Sequence, residues 1–287
     1  MKRAKNYVRI LCLSSLCAFT ALTVMAEPIN DAVKAYDAGN YAEALGPLTN
    51  AAHQGEAGAQ FFLGEMYLNG LGVTQSDEIA EQWYRKSAIQ GFSGSEFALG
   101  ALYYKGQGVQ QSFELAAEWY IKSAAQNNMS AQHMLGLMYE NGQGVPKSAR
   151  ISAEWYTKAA SNGYVNAMVK LGSFYETGFG VSKSYDSALS WYSKAAEKGN
   201  SLAYHNIGNF YYTGRGVEQS YSTAFQWYEK GAKAGSMHSQ YTLGVLYYQG
   251  KGVAVSREAG LIWVKKAAAQ GHKKAIAALD AMGVSYP

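Results

Sequence analysis

All six tryptophans of the chain, Trp83, Trp119, Trp155, Trp191, Trp227 and Trp263, are separated by 36 residues without a slip. Tyrosine follows five of them (Tyr84, Tyr120, Tyr156, Tyr192, Tyr228) and Val264 follows the sixth. A Gly-x-Gly-Val element recurs in the same register, from Gly70-Leu71-Gly72-Val73 to Gly250-Lys251-Gly252-Val253. Three residues past each of those valines stands a serine: Ser76, Ser112, Ser148, Ser184, Ser220 and Ser256. A period of this length marks a chain of stacked units, none of which buries its apolar face alone.

Each unit can be read physically. At ~100° per residue, positions 59, 63, 66 and 70 fall on one side of a helix, and they hold Ala59, Leu63, Met66 and Gly70. Gly-x-Gly ends that helix, because glycine tolerates the left-handed conformation of a helix C-terminus. The repeated serine caps a second helix by accepting an otherwise unpaired backbone N–H. That helix carries Ala80, Trp83, Tyr84 and Ser87-Ala88 and stops at Gly91; Gly163, Gly199, Gly235 and Gly271 stop other copies and Asn127 stops one. Two helices of roughly 12 to 14 residues and two short turns fill the period. Gly64, Gly100, Gly136, Gly172, Gly208 and Gly244 sit inside the first helix, at a cost of about 1 kcal/mol each relative to alanine. Six such costs in register predict a close neighbour, and the expected neighbour is the large tryptophan of the same hairpin. The small pairs Ala159-Ala160, Ala195-Ala196 and Ala267-Ala268 fit tight packing.

The first 26 residues read as an export signal. Lys2, Arg3, Lys5 and Arg9 precede a largely apolar run from Ile10 to Val24, and Val24-Met25-Ala26 suits cleavage before Glu27. The mature chain is expected to be periplasmic or secreted. Four of the 25 basic residues leave with the signal, so 21 remain against 21 acidic ones. The apparent basicity therefore gives no support to nucleic-acid binding. Nothing after the signal offers ~18 consecutive apolar residues, so no membrane insertion is expected. Cys12 and Cys17, the only cysteines, also lie in the signal, and neither has the small preceding residue that lipidation requires. The mature chain is left without disulfides or thiolate ligands.

The combined pattern, Ala-x-x-x-Leu-Gly-x-x-Tyr-x-x-Gly-x-Gly-Val followed by Trp-Tyr-x-Lys-Ala-Ala, resembles the Sel1-like repeat family, a relative of the tetratricopeptide repeat. The resemblance covers six copies: 56–91, 92–127, 128–163, 164–199, 200–235 and 236–271. It implies an all-α fold, a right-handed α-solenoid of stacked antiparallel helical hairpins over 27–287. Residues 28–55 read as a degenerate first hairpin, and 272–287 as a C-terminal capping helix covering the last repeat. Family members often carry aspartate where this chain has the capping serine; both cap.

Residues that repeat hold the fold, so function is sought in those that vary. Positions 61, 65 and 68 lie on the side of the first helix opposite the packed one. In order they read Phe61-Glu65-Leu68, Phe97-Ala101-Tyr104, His133-Leu137-Glu140, Val169-Ser173-Glu176, His205-Asn209-Tyr212 and Tyr241-Val245-Tyr248. The resemblance implies that the first helices line a concave groove. The candidate partner-binding residues are accordingly Phe61, Glu65, Phe97, Tyr104, His133, Glu140, Glu176, His205, Tyr212, Tyr241 and Tyr248. Tyrosine and phenylalanine bury large areas with few rotamers, which suits a protein or peptide partner, an envelope or a host protein. The bland alternative is that some of them cover seams between repeats. The tryptophans read as core or seam residues. The lysine three places after each (Lys86, Lys122, Lys158, Lys194, Lys230, Lys266) suits the helix C-terminus and covers the ring with its stem.

The cysteine-rich branch of the family has been assigned penicillin-binding or β-lactamase activity, but the cysteine pairs are missing here and Ser-x-x-Lys occurs nowhere. His53, His133, His205, His238 and His272 show no His-x-x-x-His spacing; His133 and His205, two repeats apart, read as solvated. Gly-x-Gly-Val follows a helix and lacks the remainder of a nucleotide loop. Glu140 and Glu176 read as charges on adjacent repeats rather than as an acid–base pair. No catalytic residue, metal or cofactor is assigned. The reading is an interaction scaffold, with an envelope-organising protein lacking a groove ligand as the alternative.

Overall fold

The computed structural model describes residues 27–286; the expected export segment lies outside them. Among the described residues there are fifteen α-helices and no strand. They fall into two compact units, through residue 162 and from residue 163. The first holds α1 (Glu27–Asp37), α2 (Tyr41–His53), α3 (Ala57–Asn69), α4 (Asp77–Ile89), α5 (Ser93–Lys105), α6 (Phe113–Ala125), α7 (Met129–Asn141) and α8 (Ala149–Ser161). The second holds α9 (Val165–Thr177), α10 (Tyr185–Glu197), α11 (Ser201–Thr213), α12 (Tyr221–Lys233), α13 (Met237–Gln249), α14 (Arg257–Ala269) and α15 (Lys273–Ala281). Within each unit consecutive helices pack as hairpins, and each hairpin packs on the next. This is the solenoid arrangement of helical repeats.

The helix ends follow from the residues named above. Ser76, Ser112, Ser148, Ser184, Ser220 and Ser256 each accept the backbone N–H three residues on through Oγ. Gly70 closes α3 at φ +65°, donating to the Met66 carbonyl. The second glycine of the turn answers two demands at once. Gly108 has φ +69°, and a Cβ there would lie 2.6 Å from the Asp77 carbonyl carbon of the preceding hairpin. The turn thus presses on its neighbour's backbone, which no side chain would permit.

The helix-interior glycines correct one expectation. Their neighbour is the tyrosine, not the tryptophan. A Cβ on Gly64 would lie 2.5 Å from the Tyr84 ring, on Gly100 2.6 Å from Tyr120, and on Gly136 2.7 Å from Tyr156. In the second unit Gly172 meets Tyr192 at 2.6 Å, Gly208 meets Tyr228 at 2.7 Å, and Gly244 meets Val264 at 2.7 Å. Adjacent residues on a helix point ~100° apart, so Trp and Tyr cannot both face one glycine. Tyrosine takes the interior, and all five are less than 2 % exposed. Tryptophan points instead to the seam with the preceding hairpin. Trp83 joins the core formed by Ala44, Leu48, Leu63 and Met66, and Trp119 covers the one around Tyr84 and Leu99.

Those cores are shared. Ala116, Ala117, Tyr120 and Ala124 of α6 form one cluster with Ala131, Leu135 and Met138 of α7, the first helix of the next hairpin. Over each tryptophan lies the ammonium of the repeated lysine, 4.0 to 4.4 Å from the ring centre. Such a contact contributes about 0.5–1 kcal/mol at a partly exposed site.

Gly100→Ala is expected to destabilise the protein by about 1–3 kcal/mol through overpacking against Tyr120, although alanine is the better helix former. Urea unfolding measures it. A gain of about 1 kcal/mol, as at an exposed helix glycine, would contradict the packing.

Candidate partner-binding surface

The three variable positions of each first helix form separate columns with different environments. The position-61 column lies over the buried tyrosine of its own hairpin. In the first unit the centroid separations are 5.9 Å for Phe61–Tyr84, 5.6 Å for Phe97–Tyr120 and 5.3 Å for His133–Tyr156. In the second, His205 stands 5.4 Å from Tyr228, and Tyr241 stacks on His272 at 4.6 Å. Phe97, His133 and His205 remain half-exposed over the tyrosines of their own hairpins, and Tyr241 is half-exposed on His272.

Two of the expected groove residues are internal. Phe61 and Glu65 are each only 8 % exposed. Phe61 belongs to the core of α4 and α5, wedged against Phe62 and Phe92. Glu65 accepts a 2.5 Å hydrogen bond from the Tyr84 hydroxyl. Burial pushes its carboxyl pKa up, with the Tyr84 hydrogen bond opposing. The expectation that both present themselves to a partner is therefore corrected: the rings of Phe62, Tyr84 and Phe92 enclose Phe61, and Glu65 is engaged by the Tyr84 hydroxyl.

Four of the five buried tyrosines donate their hydroxyls to an acceptor on the first helix, from one of two turns. Tyr84 uses Glu65 and Tyr228 uses Asn209, at 2.7 Å, from the nearer turn. Tyr156 donates to Glu140 at 2.7 Å, and Tyr192 to Glu176 at 3.0 Å, one turn later. Burial, with the carboxylate beside them, raises the Tyr84, Tyr156 and Tyr192 phenols, so they stay protonated donors. Glu140 and Glu176 are thus each bound to their own hairpin's tyrosine.

At three places the position-68 residue bonds to the middle residue of the next Gly-x-Gly turn. The Tyr104 hydroxyl donates to Gln143 at 3.0 Å; Arg215 donates to Glu176 at 2.8 Å; Lys251 donates to the Tyr212 hydroxyl at 2.9 Å. Tyr248 is half-buried against Gly260, where a Cβ would lie 2.9 Å from its ring. These residues are partly seam and partly surface.

Two features escaped the sequence reading. Gln60, Gln132 and Gln240 each donate to a carbonyl of the preceding hairpin (Ala52, Ala124, Ala232) and accept from the end of their own (Gln90, Asn162, Gln270). Their recurrence at one repeat position was the available signal. The second feature is a histidine cluster in the second unit. His205 and His238 have ring centres 5.8 Å apart, and His238 and His272 5.2 Å. Their spacings of 33 and 34 residues fall just off the period, which hid them. His205 is also not a solvated histidine, since its Nδ1 is buried. Among the described residues, no group of three or more His, Cys, Asp or Glu is placed to hold a metal ion. No helix among them is long and apolar enough to cross a membrane.

The profile of the Sel1 repeat matches residues 57–92, 93–128, 130–164, 165–200, 201–236 and 238–272. The chain belongs to the Sel1 repeat family. Among solved Sel1 structures, a protective antigen present in uropathogenic Escherichia coli strains, displaying an SLR fold, superposes with a TM-score of 0.77 at 37 % identity, over 84 % of this chain and 52 % of that one. A Sel1 repeat protein from Oxalobacter formigenes superposes with a TM-score of 0.76 at 32 % identity, over 84 % of this chain and 97 % of that one. The chain therefore spans about half the length of the first relative and nearly all of the second. No curated protein matches the sequence. Sel1 repeats generally build scaffolds for protein–protein interaction, and the columns described above are where this Sel1 chain differs from repeat to repeat.

Glu65→Gln is expected to stabilise the protein at neutral pH, because glutamine still accepts from Tyr84 without burying a charge. The folded-state pKa of Glu65 lies above its unfolded value, so its ionisation removes stability as pH rises through the carboxylate range. Thermal unfolding from mildly acidic to neutral pH checks this. A glutamine variant less stable than the parent throughout would contradict it.

Proposed function

We propose that this Sel1 repeat protein is a periplasmic or secreted interaction scaffold that holds a protein or peptide partner on the half-exposed columns of its first helices. The observation that carries the reading is the dual placement of Phe97, His133, His205 and Tyr241. Each is anchored on a buried tyrosine or on a stacked ring, yet each keeps part of its surface in solvent. A side chain already held in one rotamer loses little entropy when a partner covers it, which suits a binding anchor. Tyr104, Tyr212 and Tyr248 extend the surface by one turn, and Glu140 and Glu176 add acceptors whose positions are fixed by Tyr156 and Tyr192.

Export is supported by the basic, then apolar, composition of residues 1–26. A mature chain without cysteine is indifferent to an oxidising compartment. The relative from uropathogenic Escherichia coli is a protective antigen, which accords with exposure at or beyond the envelope. The variable columns contain no nucleophile–base pair, and the two surface carboxylates serve tyrosine hydroxyls, so binding rather than catalysis is the chemistry they suit.

Photo-crosslinking residues introduced one at a time at positions 97, 212 and 241 are expected to trap a partner in intact cells. The same residue at Ile79, Leu115 or Ile262, which are 37 %, 39 % and 49 % exposed on second helices, is expected to trap none. Adducts from the second-helix set alone, or from both sets equally, would contradict the assignment. Fractionation of the same cells, with a mature N-terminus at Glu27, checks export.

A further inference from the structure

At the end of the second unit, three consecutive first-helix segments bring His205, His238 and His272 around a cavity of about 590 Å³, which Tyr241, Lys273 and Lys274 complete. Met237, Thr242 and Gly271 also line it, and its titratable members are imidazoles, one phenol and two ammonium groups. No Asp or Glu is among the residues that form it. Tyr241 and the His272 imidazole stack with ring planes 24° apart, giving one flat wall, while Lys273 and Lys274 stand exposed at the rim.

The protonation states can be worked out from the contacts. The Ala275 N–H donates to Nδ1 of His272, which caps α15. That nitrogen is therefore unprotonated, and the neutral ring carries its proton on Nε2, as a donor. Nδ1 of His205 is buried without a hydrogen-bond partner. The groups facing His205 are His238, His272 and the Tyr228 ring; those facing His272 are His238, Lys274 and Tyr241. All the ionisable nitrogens are cationic when protonated, so none relieves another. Burial, then His238 and His272, depress the His205 imidazole to about 4; burial, then His238 and Lys274, depress that of His272. A cation would meet two lysines here with no carboxylate to hold it. An anion would relieve every one of these repulsions.

We propose that this cavity is a carboxylate-binding pocket for an acidic peptide segment, with Lys273 and Lys274 drawing in the charge, the imidazoles donating to it, and the Tyr241–His272 pair supporting the peptide's carbon chain. The proposal rests on the interaction-scaffold reading and adds to it a ligand chemistry and one location. Because a bound carboxylate favours a protonated His205, binding takes up a proton there and strengthens as pH falls below neutrality, while His272, whose Nδ1 accepts from Ala275, donates from Nε2 as the neutral ring.

The test follows the histidine ring signals by NMR in protein labelled at histidine, titrated with acetylated tetraglutamate amide, with its glutamine counterpart and with inorganic phosphate. The expected result is saturable movement of the His205, His238 and His272 signals with tetraglutamate, tighter at mildly acidic pH and absent with tetraglutamine. The double variant Lys273→Ala/Lys274→Ala, altered only at exposed side chains, is expected to unfold at the parent's temperature and to bind about tenfold more weakly. Equal binding of tetraglutamine, no movement of these signals, saturation by phosphate at the peptide's concentration, or unchanged affinity in the double variant would overturn the proposal. The crosslinking result at positions 97 and 212 is independent of all four, so the scaffold reading can stand or fall separately.

Discussion

A tyrosine ring laid on a helix that has no side chain beneath it is the contact on which this structure depends. Wherever a Gly–Tyr pair recurs, the two helices of a hairpin come closer than any Cβ would allow. The same tyrosine then faces the first helix of the following hairpin, as Tyr120 faces Leu135 and Met138. One residue therefore sets both the spacing within a hairpin and the stacking on the next. It also brings a hydroxyl into a dry interior, where it must find an acceptor. That need explains why Glu65, Glu140, Glu176 and Asn209 sit where they do.

This constraint divides the residues by task. The glycines, tyrosines, capping serines and turn glycines repeat because each answers a geometric demand that recurs every 36 residues. Side chains on the outer half of the first helices meet no such demand, and their identity drifts from Phe97 to His133, Val169, His205 and Tyr241. Yet that drifting column rests on the fixed one, since its rings pack over the buried tyrosines. The column is variable in chemistry, and its rings are held in place by what they pack on. Such a combination lets one Sel1 scaffold present different binding chemistry without altering its core.

Much of the fold was legible in the chain, because its signals are local. Gly-x-Gly and the serine three residues past the valine specify helix ends through backbone angles and one hydrogen bond. Orientation is less legible: size alone favours the larger ring of Trp-Tyr against the glycine, whereas a ~100° step sends the two rings to different neighbours. The surface was less legible. Phe61 and Glu65 occupy the same positions as Phe97 and Ala101 but are buried, Phe61 among the rings of Phe62, Tyr84 and Phe92, and repeat position alone does not reveal what lies on either side. The histidine cluster was hidden for a related reason. His205, His238 and His272 lie at different depths along successive helices, so no single period connects them, and only stacking brings their rings within 6 Å.

The central claim is that each core is shared between hairpins rather than enclosed in one. Hydrogen exchange on the Tyr120→Ala variant tests this most directly, because Tyr120 contacts α5 through Gly100 and α7 through Leu135. The account predicts that amide protection falls in α5, α6 and α7 together, across the boundary between two repeats. Loss confined to α5 and α6, with α7 protected as in the parent, would show self-contained hairpins and contradict it.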